Sequence, residues 1–330
     1  MIPDMPEDRT SSGLCKTKLP GVGNALSKPR VAVLLAAYNG MQWIEEQMDS
    51  ILKQRHVCPT VFVSIDLSTD GTQDFCDRMA QENSSIRVLP YGEHFGGAAR
   101  NFFRILHELN FSEFDYVCFA DQDDIWLPDK LNRAHQMLVE TGAHAYSSNV
   151  TAFWPDGRKS LIEKSQKQVQ WDFLFEAAGP GCTYVMRKEL ALAIQQLLKS
   201  RWPEAQKIGL HDWLVYAYAR VQGYRWVIDD YAGMLYRQHE RNQVGVNRGW
   251  PALLYRARKI YSGWGLKQSL LIADLVGLKN DRFVRQWSGG TRAGMLWLAC
   301  HAGQCRRRSR DKLLFSLSCL ALCVAGNRPR

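Results

Sequence analysis

From Val31 onward the chain alternates between short apolar runs and stretches whose apolar residues recur every three or four positions. Val31–Ala36 (VAVLLA) is apolar without a break, as in a strand buried on both faces. Ile44, Met48, Ile51 and Leu52 follow at helical spacing. Thr60–Ile65 reads as a second strand, and Phe75, Cys76, Met79 and Ala80 as the inner stripe of a helix starting near Thr69–Gly71. Ile86–Leu89 is a third, short strand, followed by a helix over Ala98–Leu109. Tyr116–Ala120 (YVCFA) is a fourth strand that runs into Asp121-Gln122-Asp123-Asp124, and Pro128 suits the first turn of the next helix. Strict β-α alternation over about 110 residues predicts an α/β fold, a mostly parallel sheet flanked by helices. Ligands of such sheets lie beyond the carboxyl ends of the strands, where the polar clusters of this chain also fall.

After Ala143–Val150 the alternation loosens into helices over Lys188–Ser200 and Asp212–Gly223 and short strands over Arg225–Ile228 and Met234–Tyr236. Residues 1–29, rich in Pro, Gly, Ser and Lys, have no period and read as a mobile tail. That leaves a catalytic body over 30–248 and a basic helical C-terminal region over 249–330, closing on Lys312–Val324. Charge sharpens the division. Residues 246–330 hold sixteen Lys/Arg and three acids, a net of +13, within a chain of net +9, so the rest sums to −4. A basic end on a mildly acidic body points to an anionic partner. No zinc spacing or RNA-binding signature appears there, so the reading is an anionic membrane surface and no nucleic acid. Arg306-Arg307-Arg308 leads into Leu313, Leu314, Leu317, Leu320 and Val324, as in an interfacial helix. On this reading, removal of residues 306–330 releases the protein from anionic vesicles with the chemistry of the body intact; packing of that helix on the body is the alternative.

Nine cysteines, an odd number without C-x-x-C pairing, fit a reducing compartment. The first residues lack the order of a signal peptide, and no apolar stretch reaches the roughly 18–20 residues of a spanning helix. The expected location is therefore cytoplasmic, peripheral on the inner face of the cytoplasmic membrane.

The candidate chemistry sits at the strand ends. In an extended chain Asp121 and Asp123 point the same way, with Cα atoms about 6.5–7 Å apart. Carboxylates that close repel unless a cation lies between them, and hard oxygen ligands suit Mg²⁺ or Mn²⁺. Capping of the helix near Pro128 is the plainer alternative, open to Asp124 alone. Asp66, before Leu67-Ser68-Thr69-Asp70-Gly71-Thr72, can accept hydrogen bonds from a base or ribose, while Ser68 or Thr69 could cap the helix. Tyr38 could stack on a base, and Gly96-Gly97 opens a helix by a turn that admits a phosphate or ribose. Asp212, between His211 and Trp213, reads either as a general base or as a cap with Trp213 packed inside. His239 stands among Arg and Asn residues that could hold a diphosphate.

Jointly, VLLAAYNG (Val33–Gly40), VSIDLSTDGT (Val63–Thr72), FADQDDIWLPDKL (Phe119–Leu131), HDW (His211–Trp213) and YRQHERNQVG (Tyr236–Gly245) resemble family 2 glycosyltransferases of the GT-A fold. The similarity covers roughly residues 29–245 and is greatest to the bacterial rhamnosyltransferase-like branch of lipopolysaccharide and capsule biosynthesis. It implies a GT-A, Rossmann-like sheet and transfer of a sugar with inversion from a nucleoside diphosphate, dTDP-rhamnose or a UDP-sugar, to a lipid-linked or lipopolysaccharide acceptor. By the same resemblance Asp212 is the catalytic base. Ala36, Tyr38, Asn39, Asp66, Arg100, Asp121 and Gln122 belong to the donor nucleotide, and Asp123 and His239 to the metal. Asp124, Trp126, Gly181, His211 and Trp213 lie at or near the acceptor. Ile65-Asp66-Leu67 replaces the usual Asp-Asp-Gly, which leaves base recognition to Asp66. A nucleotidyltransferase is the rival reading, but Ala36-Ala37-Tyr38-Asn39-Gly40 lacks the Lys or Arg that such a loop needs.

Overall fold

The structure is a computed structural model that describes residues 27–239 and 263–325. Most of the expected mobile tail, the Glu240–Gly245 part of the expected diphosphate loop and the start of the basic region lie outside the described residues.

The predicted alternation is present. It runs β1 (Arg30–Ala37), α1 (Ile44–Leu52), β2 (Cys58–Ile65), α2 (Thr72–Glu82), β3 (Ile86–Val88), α3 (Ala98–Glu108) and β4 (Tyr116–Asp121). Next come β5 (Ile125–Trp126), α4 (Lys130–Thr141), β6 (Ala145–Ser148), β7 (Val150–Phe153) and β8 (Lys159–Ile162). They are followed by β9 (Val185–Arg187), α5 (Lys188–Ser200), α6 (Trp202–Ala205), α7 (His211–Val221), β10 (Trp226–Asp229) and β11 (Met234–Arg237). Past residue 263 stand α8 (Trp264–Leu275), α9 (Arg282–Ser288), α10 (Arg292–Cys300), α11 (Ala302–Cys305) and α12 (Ser309–Ala325).

Seven strands form one sheet in the order β10-β6-β9-β4-β1-β2-β3. All pairings are parallel except those of β9, which is antiparallel to β4 and β6. The unbroken apolar run of β1 follows from its central place. Ala32, Leu34 and Ala36 face one core, while Val31, Val33, Leu35 and Ala37 face another across the sheet. Truncating such a residue, Leu34→Ala for example, costs about 2–5 kcal/mol. A second sheet, β5-β11-β7-β8, begins directly after the acidic run. Residues 122–124 therefore lie at the junction of the two sheets.

Two expected caps are not made. Helix α2 starts at Thr72 behind left-handed Gly71 (φ 87°), without Ser68 or Thr69 capping it. Helix α4 starts behind Asp129, and Asp124 instead accepts the Arg237 N–H at 3.1 Å.

Helices α8–α12 pack on the α3, α5 and α7 side of the sheet and share its core through Ile272, Phe283, Trp287, Leu298 and Leu322. The basic run expected to rim a membrane helix turns the other way. Arg307 is buried, with Nη2 donating to Ala177 O (2.6 Å) and Asp172 and Glu176 at 3.6 and 3.5 Å. Arg306 donates to Phe175 O (2.8 Å) and Arg308 to Glu163 O. Carbonyls and carboxylates of residues 163–177 thus draw these guanidiniums onto the sheet-bearing body. No helix among the described residues is long and apolar enough to cross a membrane.

Candidate active site

The ends of β1, β2 and β4 open into a cavity of about 1020 Å³. At the end of β1 the chain turns through Asn39, whose φ of 45° lies in the left-handed region. Hydrogen bonds to the segment after β2 hold that turn. Asn39 N–H donates to Ser68 Oγ (3.0 Å), Gly40 N–H to Thr72 Oγ1 (2.9 Å) and Met41 N–H to Asp70 Oδ2 (3.0 Å). Asn39 Oδ1 accepts from Thr69 N–H (2.8 Å). The Ser-Thr-Asp-Gly-Thr segment is therefore a staple between two strand exits.

The third exit is tied in by Gln122. Its Oε1 accepts the Tyr38 N–H (2.7 Å) and its Nε2 donates to Tyr38 O (2.9 Å), as a neighbouring strand would. A Cβ at Gly40 would lie 2.3 Å from Gln122 Oε1, so any larger residue there would displace the Gln122 amide from the Tyr38 backbone. This clamp presents the Tyr38 ring, about half exposed, to the cavity beside Ala36 and Asn39.

Asp66 is buried on the cavity wall, but its carboxylate is already engaged. Oδ1 accepts from the Leu67 and Phe95 N–H groups (2.8 and 3.0 Å) and lies 3.0 Å from His94 Nδ1, while Oδ2 accepts from Gly96 N–H (3.0 Å). Its main work here is to hold the Gly96-Gly97 turn at the head of α3. Arg100 is not on the wall: it reaches outward from that helix to Gln206 O (3.1 Å).

Asp121 and Asp123 both face the cavity, as their spacing predicts. Asp123 Oδ2 lies 2.6 Å from His239 Nε2, and the His239 ring stacks on Trp43 with centroids 4.2 Å apart. Burial, and then the neighbouring Asp123 and Asp212, push the Asp121 carboxyl up to about 7. Asp124 points away from the cavity into the protein. It is fully buried, its Oδ2 has no hydrogen-bond partner, and burial followed by Asp123 and Asp121 raises its pKa well above the usual range. Asp121, Asp124 and Cys182 bring one potential ligand atom each to within 4.8 Å of one another. Burial raises the Cys182 thiol well above its ordinary pKa, so it stays neutral and poorly suited to a hard cation. Cavity-facing Asp121 and Asp123, carboxylates crowded against each other, fit Mg²⁺ or Mn²⁺ better.

Asp212 stands in the first turn of α7. Its Oδ1 accepts the Trp213 N–H at 2.8 Å, and burial pushes its pKa up to about 6 against the lowering effect of that bond. Successive helix positions diverge by about 100°, so Asp212 faces the cavity while Trp213 faces the core. The Trp213 indole donates to Phe173 O (2.9 Å) and does not reach the cavity. His211 lies against Phe102, ring centroids 4.1 Å apart, and burial lowers its pKa to about 3. A Cβ at Gly181 would lie 2.6 Å from His211 Nε2, so a glycine lets these two segments meet. Trp126 is buried beneath the Lys130 ammonium, 3.5 Å from its ring centroid, and also lies off the wall. Thus Arg100, Asp124, Trp126 and Trp213 were expected at the site and do not line it.

Trp43, His94, Asn101, Lys164, Glu176 and Arg306 do line it and were not foreseen. The Gly179-Pro180-Gly181 run offers a local cue, because small residues permit close approach. Nothing local marks Lys164, Glu176 or Arg306, which come together only in the folded chain.

Known proteins agree with this architecture. The chain is 44% identical over 284 residues to the dTDP-rhamnosyl transferase RfbG of Shigella flexneri, a match covering 86% of this chain and 98% of that protein. Residues 32–191 match the family described as glycosyl transferase family 2. Among solved structures, S. aureus TarS 1-349 in complex with UDP-GlcNAc aligns over 91% of this chain and 93% of its own, with TM-score 0.52 and 15% identity. Mannosyltransferase PcManGT from Pyrobaculum calidifontis, in complex with GDP-Man and Mn²⁺, aligns over 94% and 90% with TM-score 0.51 and 17% identity. With its exits of β1, β2 and β4 clamped around one acidic cavity, the chain belongs to glycosyl transferase family 2, the glycosyltransferases.

Proposed function

We propose that the protein transfers rhamnose from dTDP-rhamnose, with inversion, to a hydroxyl of a bacterial surface glycan or its lipid-linked precursor. The observation that carries the mechanism is the half-buried, cavity-facing carboxylate of Asp212, with a pKa near enough to neutrality to accept a proton. Asp212 takes the proton of the acceptor hydroxyl as its oxygen attacks the anomeric carbon, and the nucleoside diphosphate departs from the opposite face. One base and one direct displacement give inversion. Tyr38 stacks on the base, and Asp121 and Asp123, with His239 beside them, would hold a divalent cation at the diphosphate. A bound Mg²⁺ or Mn²⁺ would neutralise charge developing on the leaving diphosphate. The donor assignment is supported by the 44% identity to the dTDP-rhamnosyl transferase. With Mn²⁺ present, dTDP release from dTDP-rhamnose is expected to exceed UDP release from UDP-glucose by about tenfold or more in kcat/KM. A preference for the UDP-sugar would overturn the donor, and pyrophosphate as product would favour a nucleotidyltransferase.

The same reading places the protein peripherally on the cytoplasmic face of an anionic membrane. Support comes from α12, where Leu313, Leu317, Leu320 and Val324 are exposed on one stripe, with exposed Arg310 at its start. Because Arg306 and Arg307 belong to the body, removing residues 306–330 would damage the site and no longer isolates membrane binding. A double Leu313→Ser, Leu317→Ser variant does isolate it. It is expected to lose about tenfold or more of its affinity for phosphatidylglycerol vesicles, with donor hydrolysis unchanged. Failure of the unmodified protein to float with such vesicles at low salt would sink the membrane assignment.

A further inference from the structure

On the Asp212 side of the cavity, positive side chains from distant parts of the sequence converge. Lys164 follows β8, where Asn149 Oδ1 accepts the backbone N–H of both Lys164 (2.5 Å) and Ser165 (3.0 Å). Its stem lies so close to Gly179 that a Cβ there would be 3.6 Å from Lys164 Cβ. Arg306 lines the same cavity and Arg307 lies behind it. Glu176, Asp172 and Asp311 are the neighbouring carboxylates, and all are already engaged. Asp172 pairs with Arg220 (2.8 Å) and Arg307, Glu176 with Arg306 (3.8 Å) and Arg307, and Asp311 with Arg306 (3.8 Å). Among the described residues, Lys164 Nζ has neither a hydrogen-bond nor an ion-pair partner. Arg306 Nε and the Nε and Nη1 of Arg307 are buried without a hydrogen-bond acceptor.

Cations in a partly dry pocket need acceptors, and unmet donors in such a place are costly. With both arginines shared among these carboxylates, the cation left without an ion pair is Lys164, which lies on the same cavity as Asp212 and helps to keep its carboxylate ionised against burial. We propose that Lys164 and Arg306 form a subsite for an anionic group on the acceptor, a phosphate or diphosphate attached to the sugar whose hydroxyl Asp212 deprotonates. This rests on the assignment of Asp212 to the acceptor side. A phosphate brings several strong acceptor oxygens, which suit an ammonium and a guanidinium lining one cavity. The donor diphosphate is assigned to Asp121, Asp123 and His239, so the corner is left for the second substrate.

The test is calorimetric titration of the full-length protein, first with dTDP and Mn²⁺ to saturation, then with geranyl diphosphate or glucose 1-phosphate. At least one probe is expected to bind, with Kd raised about tenfold or more in Lys164→Gln and restored in Lys164→Arg. Preference for geranyl diphosphate identifies a lipid diphosphate as the source, and preference for glucose 1-phosphate a phosphorylated glycan; either supports the subsite. Equal Kd in Lys164→Gln, or no binding of either probe to the unmodified protein, overturns it. The first titration keeps the two readings apart. Normal dTDP binding without probe binding removes only the subsite, whereas absence of dTDP binding strikes at the nucleotide-sugar reading itself.

Discussion

Asp212→Asn is expected to slow transfer by about 10²–10⁴-fold, the usual loss when a general base is removed. Asparagine keeps an oxygen to accept the Trp213 N–H, so the fold and the start of α7 are retained. Donor affinity should stay within about a factor of two, since the carboxylate acts on the acceptor. The pH profile gives a second readout. Burial raises the Asp212 pKa to about 6, and only the ionised form accepts a proton. In the unmodified enzyme, with Mn²⁺ and donor saturating so that Asp121 is held ionised by the cation, kcat should therefore be flat above about pH 6 and fall roughly tenfold per unit below it. The variant should lack that limb. Loss of donor binding instead of turnover would move Asp212 to the nucleotide side.

Asp123→Asn should reduce transfer to background while changing stability by no more than about 1 kcal/mol. The reason is charge rather than shape. Asparagine can still meet His239 Nε2, 2.6 Å from the present carboxylate, but it offers a cation no negative charge. Calorimetry with Mn²⁺ and dTDP should show weakened metal binding in this variant. Near-normal turnover would remove Asp123 from the site, and full activity of the unmodified enzyme in EDTA would remove the cation without touching the fold.

Both experiments start from residues that were legible in the sequence, and the reason is local. A parallel strand buried on both faces announces itself as an apolar run, and its end is where backbone and side chains first become free for a ligand. Asp121, Asp123 and Tyr38 are such residues. The misplacements share a different cause. Arg100, Trp126 and Trp213 sit one position from a cavity residue or within the right segment, but pattern alone does not tell which way a side chain leaves its helix or loop. Asp124 is the sharpest case: it continues an acidic run, yet the chain turns at Gln122–Asp123 and buries it. Gln122 itself was read as a ligand to the nucleotide, whereas its amide is spent on the Tyr38 backbone. The cationic corner was illegible because Lys164, Glu176 and Arg306 are neighbours only through tertiary contacts.

That the cavity takes residues as far apart as Ala36 and Arg306 bears on how the enzyme is made. At roughly 5–20 residues per second, about 15–55 s of synthesis separate the two positions. The strand ends proposed to hold the nucleotide can assemble early, but the side of the cavity proposed for the acceptor cannot close before Arg306 and Arg307 have emerged and docked. A ribosome-bound chain lacking them would be a nucleotide binder without a complete acceptor pocket, so glycosyl transfer would begin only once nearly all of this sequence is free of the ribosome.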